Sequence, residues 1–287
     1  MPVDLQAYKS ETKPDWCPGC GDFAVLNAVT KALHTLQIPP WNVLVVSGIG
    51  CSSNLPGFLG TYGFHGIHGR AVPVATGAKL ANHELTVIAA GGDGDGYGIG
   101  VGHFVHAMRR NLDITYIVMD NQIYGLTTGQ ASPTSMMKMK TKSTPEGVIE
   151  NPINPIALAL ASGATFVSRG FSGDAKGLAE IVEAAVKHRG FSLVDVLSPC
   201  VTYNKYNTYD YFRPKVYNLQ KENHDFKDVH AAWDKAIEWG DRIPIGIFYV
   251  VEGMPTYEEL EPAYKQGPPL KQKLGVQDPS ELIDEAM

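Results

Sequence analysis

The chain has 287 residues, 44% of them hydrophobic and 19% charged, an ordinary balance for a globular protein with one large core or two smaller ones. Its net charge of −6 gives no footing for nucleic acid or an anionic membrane surface as partner. No apolar run approaches the ~20 residues that span a bilayer, and Met1-Pro2-Val3-Asp4-Leu5-Gln6 has neither a basic nor an apolar leader character, so a cytoplasmic protein with no membrane partner is expected.

In chain order, a helix is predicted over 22–36, with Leu26, Val29, Leu33 and Leu36 on one stripe. Strands follow over 42–47, 85–90, 114–119 and 164–167. A second clear helix covers 174–188, with Leu178, Ile181, Val182, Ala185 and Val186 on one face and Ser172 or Asp174 as N-cap. A strand over 193–197 comes next, then a helix over 226–239 and a strand over 245–251. The strands are Val- and Ile-rich without apolar–polar alternation, so both faces are covered, as in a parallel sheet between helices. The fold class is therefore α/β, an open, doubly wound, mostly parallel sheet. Past about residue 202 the composition turns aromatic and polar, and after Gly253 it turns proline-rich. That divides the chain into an α/β domain over 1–205 and a C-terminal extension over 206–287, an arm packing on the domain or on a partner subunit.

Four cysteines are all the chain has. Cys17 and Cys20 form a C-x-x-C pair in Trp16-Cys17-Pro18-Gly19-Cys20-Gly21. Cys51 and Cys200 each follow an apolar strand. Thiols placed just past strand ends converge at one edge of a sheet, and the four together make a complete ligand set. Either a 4Fe–4S cluster or a structural zinc takes such a set, and the spacing alone leaves both open.

A second constellation follows the strand at 85–90, in Gly91-Gly92-Asp93-Gly94-Asp95-Gly96. Glycines let backbone amides approach phosphate oxygens, and a helix starting near Tyr97 adds a favourable dipole. The carboxylates would repel a bare phosphate. They fit a hard cation such as Mg²⁺ held between carboxylate and diphosphate. Asn121 lies 28 positions after Asp93, the length of one helix plus one strand, which returns the chain to the same sheet edge. A dinucleotide loop fits poorly, because the G-x-G-x-x-G spacing is missing and Asp93 sits inside the loop.

Here the residues carry a resemblance. G-D-G followed by Asn at this distance is similar to the thiamine diphosphate motif. Joined to the W-C-P-G-C-G start, Gly48-Ile49-Gly50-Cys51-Ser52-Ser53, His68-Gly69-Arg70-Ala71, the run from Tyr124 to Thr134, Asn154-Pro155 and Cys200 before Thr202-Tyr203-Asn204, it makes the chain resemble the β subunit of 2-oxoacid:ferredoxin oxidoreductases from about Trp16 to Tyr217. The resemblance implies a sheet of the thiamine diphosphate-binding type. It implies a 4Fe–4S cluster on Cys17, Cys20, Cys51 and Cys200, and Mg²⁺ on Asp93, Asn121 and the Ile123 carbonyl. Gly50, Ser52, His68, Gly92, Gly94, Asp95, Gly125, Leu126 and Thr127 would line the cofactor, with His68, Asn54 and Ser52 as active-site contacts.

The activity implied is oxidative decarboxylation of a 2-oxoacid with coenzyme A, giving acyl-CoA, CO₂ and reduced ferredoxin, or the reverse carboxylation. The segments 51–58 and 62–70 favour 2-oxoglutarate, with pyruvate or a broad specificity as the alternative. No glutamate for the aminopyrimidine ring is assignable in this chain, so an α subunit is expected to supply it, in a heterodimer or a dimer of heterodimers. Two other classes stay in view: a non-redox thiamine-dependent decarboxylase with structural zinc, and an electron-transfer module with no active site. His103 and His106 read as packed histidines, and Arg109-Arg110 as a helix end. Met136-Met137-Lys138-Met139-Lys140-Thr141-Lys142 reads as a solvated loop first, and as a docking site for acidic ferredoxin or coenzyme A phosphates second. The tyrosines at 203, 206, 209 and 211 read as cover for a surface or for a contact between subunits.

Overall fold

The computed structural model describes residues 2–272 and 279–286. One eight-stranded sheet organises them: β1 (Val43–Ser47), β2 (Tyr62–His65), β3 (Thr86–Gly92), β4 (Thr115–Asp120), β5 (Phe166–Phe171), β6 (Ser192–Leu197), β7 (Val216–Asn218) and β8 (Ile243–Val250). Their spatial order is β2-β1-β3-β4-β6-β5-β8-β7. The first six are mutually parallel, and β8 pairs antiparallel with β5. The helices are α1 (Asp22–Thr35), α2 (Ala71–Ala81), α3 (Val101–Arg110), α4 (Pro155–Ala161), α5 (Ala175–Lys187), α6 (Tyr209–Phe212), α7 (Val229–Ala236), α8 (Tyr257–Leu260) and α9 (Ser280–Ala286). None of the described helices is long and apolar enough to cross a membrane.

Both sheet faces are apolar because successive strand residues point to opposite sides. Along β1, Val43 and Val45 join the layer under α1 and α5, with Val29, Leu33, Leu178 and Val182. Val46 joins the opposite layer under α2, α3, α4 and α7, with Phe104, Tyr116, Ile156 and Ala232. Asp174 caps α5, its carboxylate accepting from the Gly177 amide at 3.0 Å.

Several expectations shift. The strand predicted over 164–167 starts at Phe166 and runs to Phe171. Ser168, Arg169 and Gly170 interrupt the apolar run in sequence, yet all are buried: Ser168 donates to the Leu193 carbonyl, and Arg169 pairs with Asp195 on β6 at 3.2 Å. β2 is an exposed edge strand with no apolar run to betray it. The helix expected from Tyr97 is a kinked π-helical turn over Gly94–Ile99, with α3 beginning only at Val101. Past residue 205 the chain is less arm-like than its composition suggests: β7 and β8 extend the sheet and α7 packs on it. The stretch 136–142 is not simply solvated, since Met139 is buried beside Ile123 and Val148, with Met136 and Cys200 packed against them.

The loops after β1, β3, β4 and β6 all leave from the carboxyl ends of adjacent strands. After β1 the chain turns to β2 on one side, and after β3 it turns to β4 on the other. Open α/β sheets bind ligands at such a divergence.

Candidate active site

The π-helical turn after β3 presses Gly94 against Tyr124, where a Cβ would stand 2.1 Å from the ring, and the Tyr124 hydroxyl donates to the Gly94 carbonyl at 3.2 Å. Asp93 is buried beneath that turn. Ser132 and Thr134 hydroxyls both donate to its Oδ2, at 2.5 and 2.6 Å. Burial pushes the Asp93 carboxyl up to about 6 against these hydrogen bonds. Asp95 does a different job. Its Oδ1 accepts from the amides of Ile49 and Gly69, at 2.9 and 2.7 Å, tying the loop after β1 to the turn before α2. A Cβ at Gly48 would lie 2.1 Å from the Asp95 carboxylate, so that approach requires glycine.

On β4's far end, the Asn121 side-chain oxygen accepts from the Ile123 amide at 3.1 Å, closing a tight turn. Gly50, Ser52, His68, Gly92, Asp93, Gly94, Asp95, Asn121, Ile123, Gly125, Leu126 and Thr127 all line one cleft, together with Ile49, Cys51 and Tyr124. Three polar atoms of that lining are buried without a hydrogen-bond partner: Ser52 Oγ, His68 Nδ1 and Asp95 Oδ2. Buried polar groups in proteins are mostly paired, and these three line the cleft, where a polar ligand would meet them. The cleft holds only 60 Å³, far below the ~300–1,000 Å³ of complete small-molecule sites.

A second cavity, of 240 Å³, adjoins the first and is lined by Cys17, Cys20, Cys51 and Cys200. The two share Cys51, Asn121, Gly125 and Leu126. Gly125 lies against both thiols: a Cβ there would stand 3.5 Å from the Cys200 sulfur and 3.8 Å from that of Cys51, ordinary contact distances. Asn54 lines this second cavity, not the first, within 3.5 Å of Asp15. Among the described residues, no three His, Cys, Asp or Glu side chains converge on a position for a single ion.

The thiol-bearing segments are stitched together. Trp16 is edge-on to Phe23 and Phe58, and its indole donates to the Cys51 carbonyl at 2.7 Å. The Gly21 amide donates to the Pro199 carbonyl, and Ser198 Oγ to Asp22 Oδ1 at 2.8 Å. Burial, with the Asp22 carboxylate adding to it, holds the Cys20 thiol well above its usual range and Cys51 up to about 11. Among the described residues, no lysine or arginine lines the cavity. Thiolates there need a positively charged group between them, as a metal cluster provides.

Sequence reasoning missed Ser132 and Thr134, which hold Asp93, and Tyr124, which fills the space beside Gly94. The Tyr124 to Thr134 run held the signal, but hydroxyl spacing alone does not say which carboxylate it meets. A larger cavity, of 550 Å³, lies elsewhere, by the starts of β3 and β4, and is lined by Lys79, Asp113 and Glu258 among others. It touches none of these residues.

Comparison with known proteins agrees with this geometry. Residues 48–196 match the family model "Thiamine pyrophosphate enzyme, C-terminal TPP binding domain". Residues 200–266 match the family model for the C-terminal part of the pyruvate ferredoxin oxidoreductase beta subunit. The chain is 50% identical over 274 residues to the 2-oxoacid:ferredoxin oxidoreductase subunit beta of Sulfolobus sp, covering 90% of each. It is 37% identical over 246 residues to the 2-oxoglutarate synthase subunit KorB of Methanocaldococcus jannaschii, covering 85% of this chain and 90% of that one. It superposes on the 2-oxoglutarate:ferredoxin oxidoreductase from Magnetococcus marinus, solved with 2-oxoglutarate, coenzyme A and succinyl-CoA bound, with a TM-score of 0.91 and 42% identity, over 99% of this chain and 96% of that one. The cofactor these matches support is thiamine diphosphate, and a β subunit implies an α partner. The matched regions, residues 48–196 and 200–266, take in the whole cleft lining and, of the second cavity, Cys51 and Cys200 but not Cys17 and Cys20, and the chain belongs to the family of 2-oxoacid:ferredoxin oxidoreductase β subunits.

Proposed function

We propose that this chain, joined to an α subunit, oxidatively decarboxylates a 2-oxoacid, with 2-oxoglutarate favoured, in the presence of coenzyme A, and passes the electrons to ferredoxin. One observation carries the reading: the four-cysteine cavity and the Asp93–Asn121 cleft share a wall made of Cys51, Asn121, Gly125 and Leu126. A redox group in the first lies beside a cofactor in the second.

Asp93, Asn121 and the Ile123 carbonyl would hold Mg²⁺, and Cys17, Cys20, Cys51 and Cys200 a 4Fe–4S cluster. When bound, the diphosphate cofactor supplies an electron sink for loss of CO₂, and the cluster accepts electrons singly. The chain's own residues arrange this. Ser132 and Thr134 fix the Asp93 carboxylate by two hydroxyl donors. The glycine-rich Gly94 turn would offer backbone amides to a bound diphosphate. Ser52 Oγ and His68 Nδ1, without a hydrogen-bond partner in the cleft wall though His68 Nδ1 stands 3.7 Å from Asp95 Oδ1, are the groups left to contact cofactor or substrate. The cleft's small volume supports an active site completed by the α subunit.

The test is 2-oxoacid-dependent reduction of a viologen dye by the isolated chain and by the α–β complex, on 2-oxoglutarate, pyruvate and a branched 2-oxoacid. Turnover by the complex alone, fastest on 2-oxoglutarate, is expected. Turnover by the isolated chain would refute the shared site. Absorbance at about 400 nm that bleaches on reduction is expected of the cluster; zinc in its place would give none.

A further inference from the structure

The stretch 136–142 and the tyrosines after Cys200 are not used by the chemistry, yet the structure packs them against one another, next to Tyr203, which lines the four-cysteine cavity. Met139 is buried under the loop, and the Met136 sulfur accepts from Asn207 Nδ2 at 3.5 Å and the Tyr211 hydroxyl at 3.8 Å. With those methionines anchored inward, Lys140 and Lys142 are exposed. The Lys140 amide donates to the Tyr206 hydroxyl at 3.4 Å. Lys142 donates from its amide to the Gly129 carbonyl and from Nζ to Thr128 Oγ1. Gly129 in turn lies against Tyr203, which lines the cavity. Lys205 Nζ reaches the carbonyl of Val201, another lining residue, at 3.3 Å. None of these three lysines is in an ion pair among the described residues.

Between the lysines the surface is apolar: Leu126 is 56% exposed, Tyr203 39% and Tyr206 42%. Cys17 is the exposed thiol of the four. Among the described residues, Asp15 is the one acid in the cavity lining. An unpaired basic rim around an apolar centre stands out on a chain of net charge −6. Such a rim steers and orients an oppositely charged partner, while the apolar centre makes the close contact.

We infer that Lys140, Lys142 and Lys205, with Leu126, Tyr203 and Tyr206 between them, form the docking surface for an acidic electron-carrier protein, ferredoxin in the proposed reaction. The inference rests on that reading, because a carrier is needed there only if the cysteines hold a redox cluster. The surface fixes where the carrier stops, above the exposed cysteine and against residues that line the thiol cavity.

The α–β complex carrying Lys140→Glu and Lys205→Glu, and a second variant with Lys142→Glu added, are assayed side by side with a viologen dye and with ferredoxin. The dye needs no docking surface, so its reduction should match wild type. The KM for ferredoxin should rise about tenfold, and its dependence on ionic strength should flatten. Unchanged ferredoxin kinetics with intact dye reduction would overturn the docking surface and leave the catalytic reading standing. Equal loss with dye and ferredoxin would also overturn it, since the lysines would then act on the chemistry. Failure of the wild-type complex to reduce dye with any 2-oxoacid would overturn the catalytic reading, and the docking surface with it.

Discussion

Gly94 and Cys200 show how single residues separate the two halves of the site. At Gly94, a Cβ would stand 2.1 Å from the Tyr124 ring, which is half-buried and hydrogen-bonded to the same turn, so it has little room to withdraw. Gly94→Ala is expected to displace the turn and cut thiamine diphosphate binding at least tenfold, measured by isothermal titration with Mg²⁺ present, while iron content stays at the wild-type level. Cys200→Ala is the converse. Its sulfur faces the cysteine cavity, and no hydrogen bond from it reaches the cleft, so cofactor binding should be spared and ferredoxin reduction abolished. Loss of iron in Gly94→Ala, or of thiamine diphosphate binding in Cys200→Ala, would mean that the cavities do not act as separable sites. Ser132 and Thr134 sit one step further out. Groups that orient a metal ligand change affinity by about 10–100-fold when removed, so Ser132→Ala with Thr134→Val should weaken Mg²⁺ binding by that factor.

At the scale of elements, the sequence was most legible where a strand or helix obeyed one periodicity. β1, β3, β4 and β6 are apolar on both faces, and their bounds fall within two residues of the expected ones. α1 and α5 show their buried stripes plainly. Legibility failed where a long-range partner decides the structure. β5 continues past Val167 because Arg169 meets Asp195 across the β5–β6 pair, and the Asp195 carboxylate also accepts from Tyr97 at 2.9 Å. No local pattern announces a partner 26 residues away. β2 is likewise a strand only because β1 lies beside it. Of the site residues, the glycines and carboxylates were legible from spacing, whereas Asn54 sits in the cysteine cavity because its loop folds as a 3₁₀ turn over Cys51–Phe58. The Arg169–Asp195 pair is the element-level test. Removing one partner of a buried ion pair typically costs about 3–5 kcal/mol. Asp195→Asn should lower the unfolding free energy by that order, with the slope against denaturant unchanged. A loss under 1 kcal/mol would mean that the pair does not hold β5 to β6.

Over the whole molecule, the interior is unbalanced in charge. Among the described residues, Asp22, Asp93, Asp95, Asp120, Asp195 and Glu258 are buried, against only Lys79 and Arg169 of the opposite sign. Two of these acids are linked near the cleft: Thr134 Oγ1 lies 2.6 Å from Asp93 and 2.9 Å from Asp120, whose carboxyl burial and the nearby Asp195 and Asp93 hold far above the usual range. The proposed Mg²⁺ role calls for an ionised Asp93, and burial resists it. Because its folded pKa is raised to about 6, from about 4 when unfolded, the protonated side chain's stabilising contribution is complete below pH 4 and lost as pH rises through 6. The difference of about two units corresponds to about 3 kcal/mol at neutral pH. Asn resembles the protonated acid and does not titrate. In protein freed of Mg²⁺ and diphosphate, Asp93→Asn should therefore match wild type at pH 4 and exceed its unfolding free energy by about 3 kcal/mol at pH 7, while losing Mg²⁺ binding altogether. Denaturant unfolding at the two pH values reads this directly. A variant no more stable than wild type at pH 7 would show that the cation-free fold carries no penalty for the carboxylate it needs.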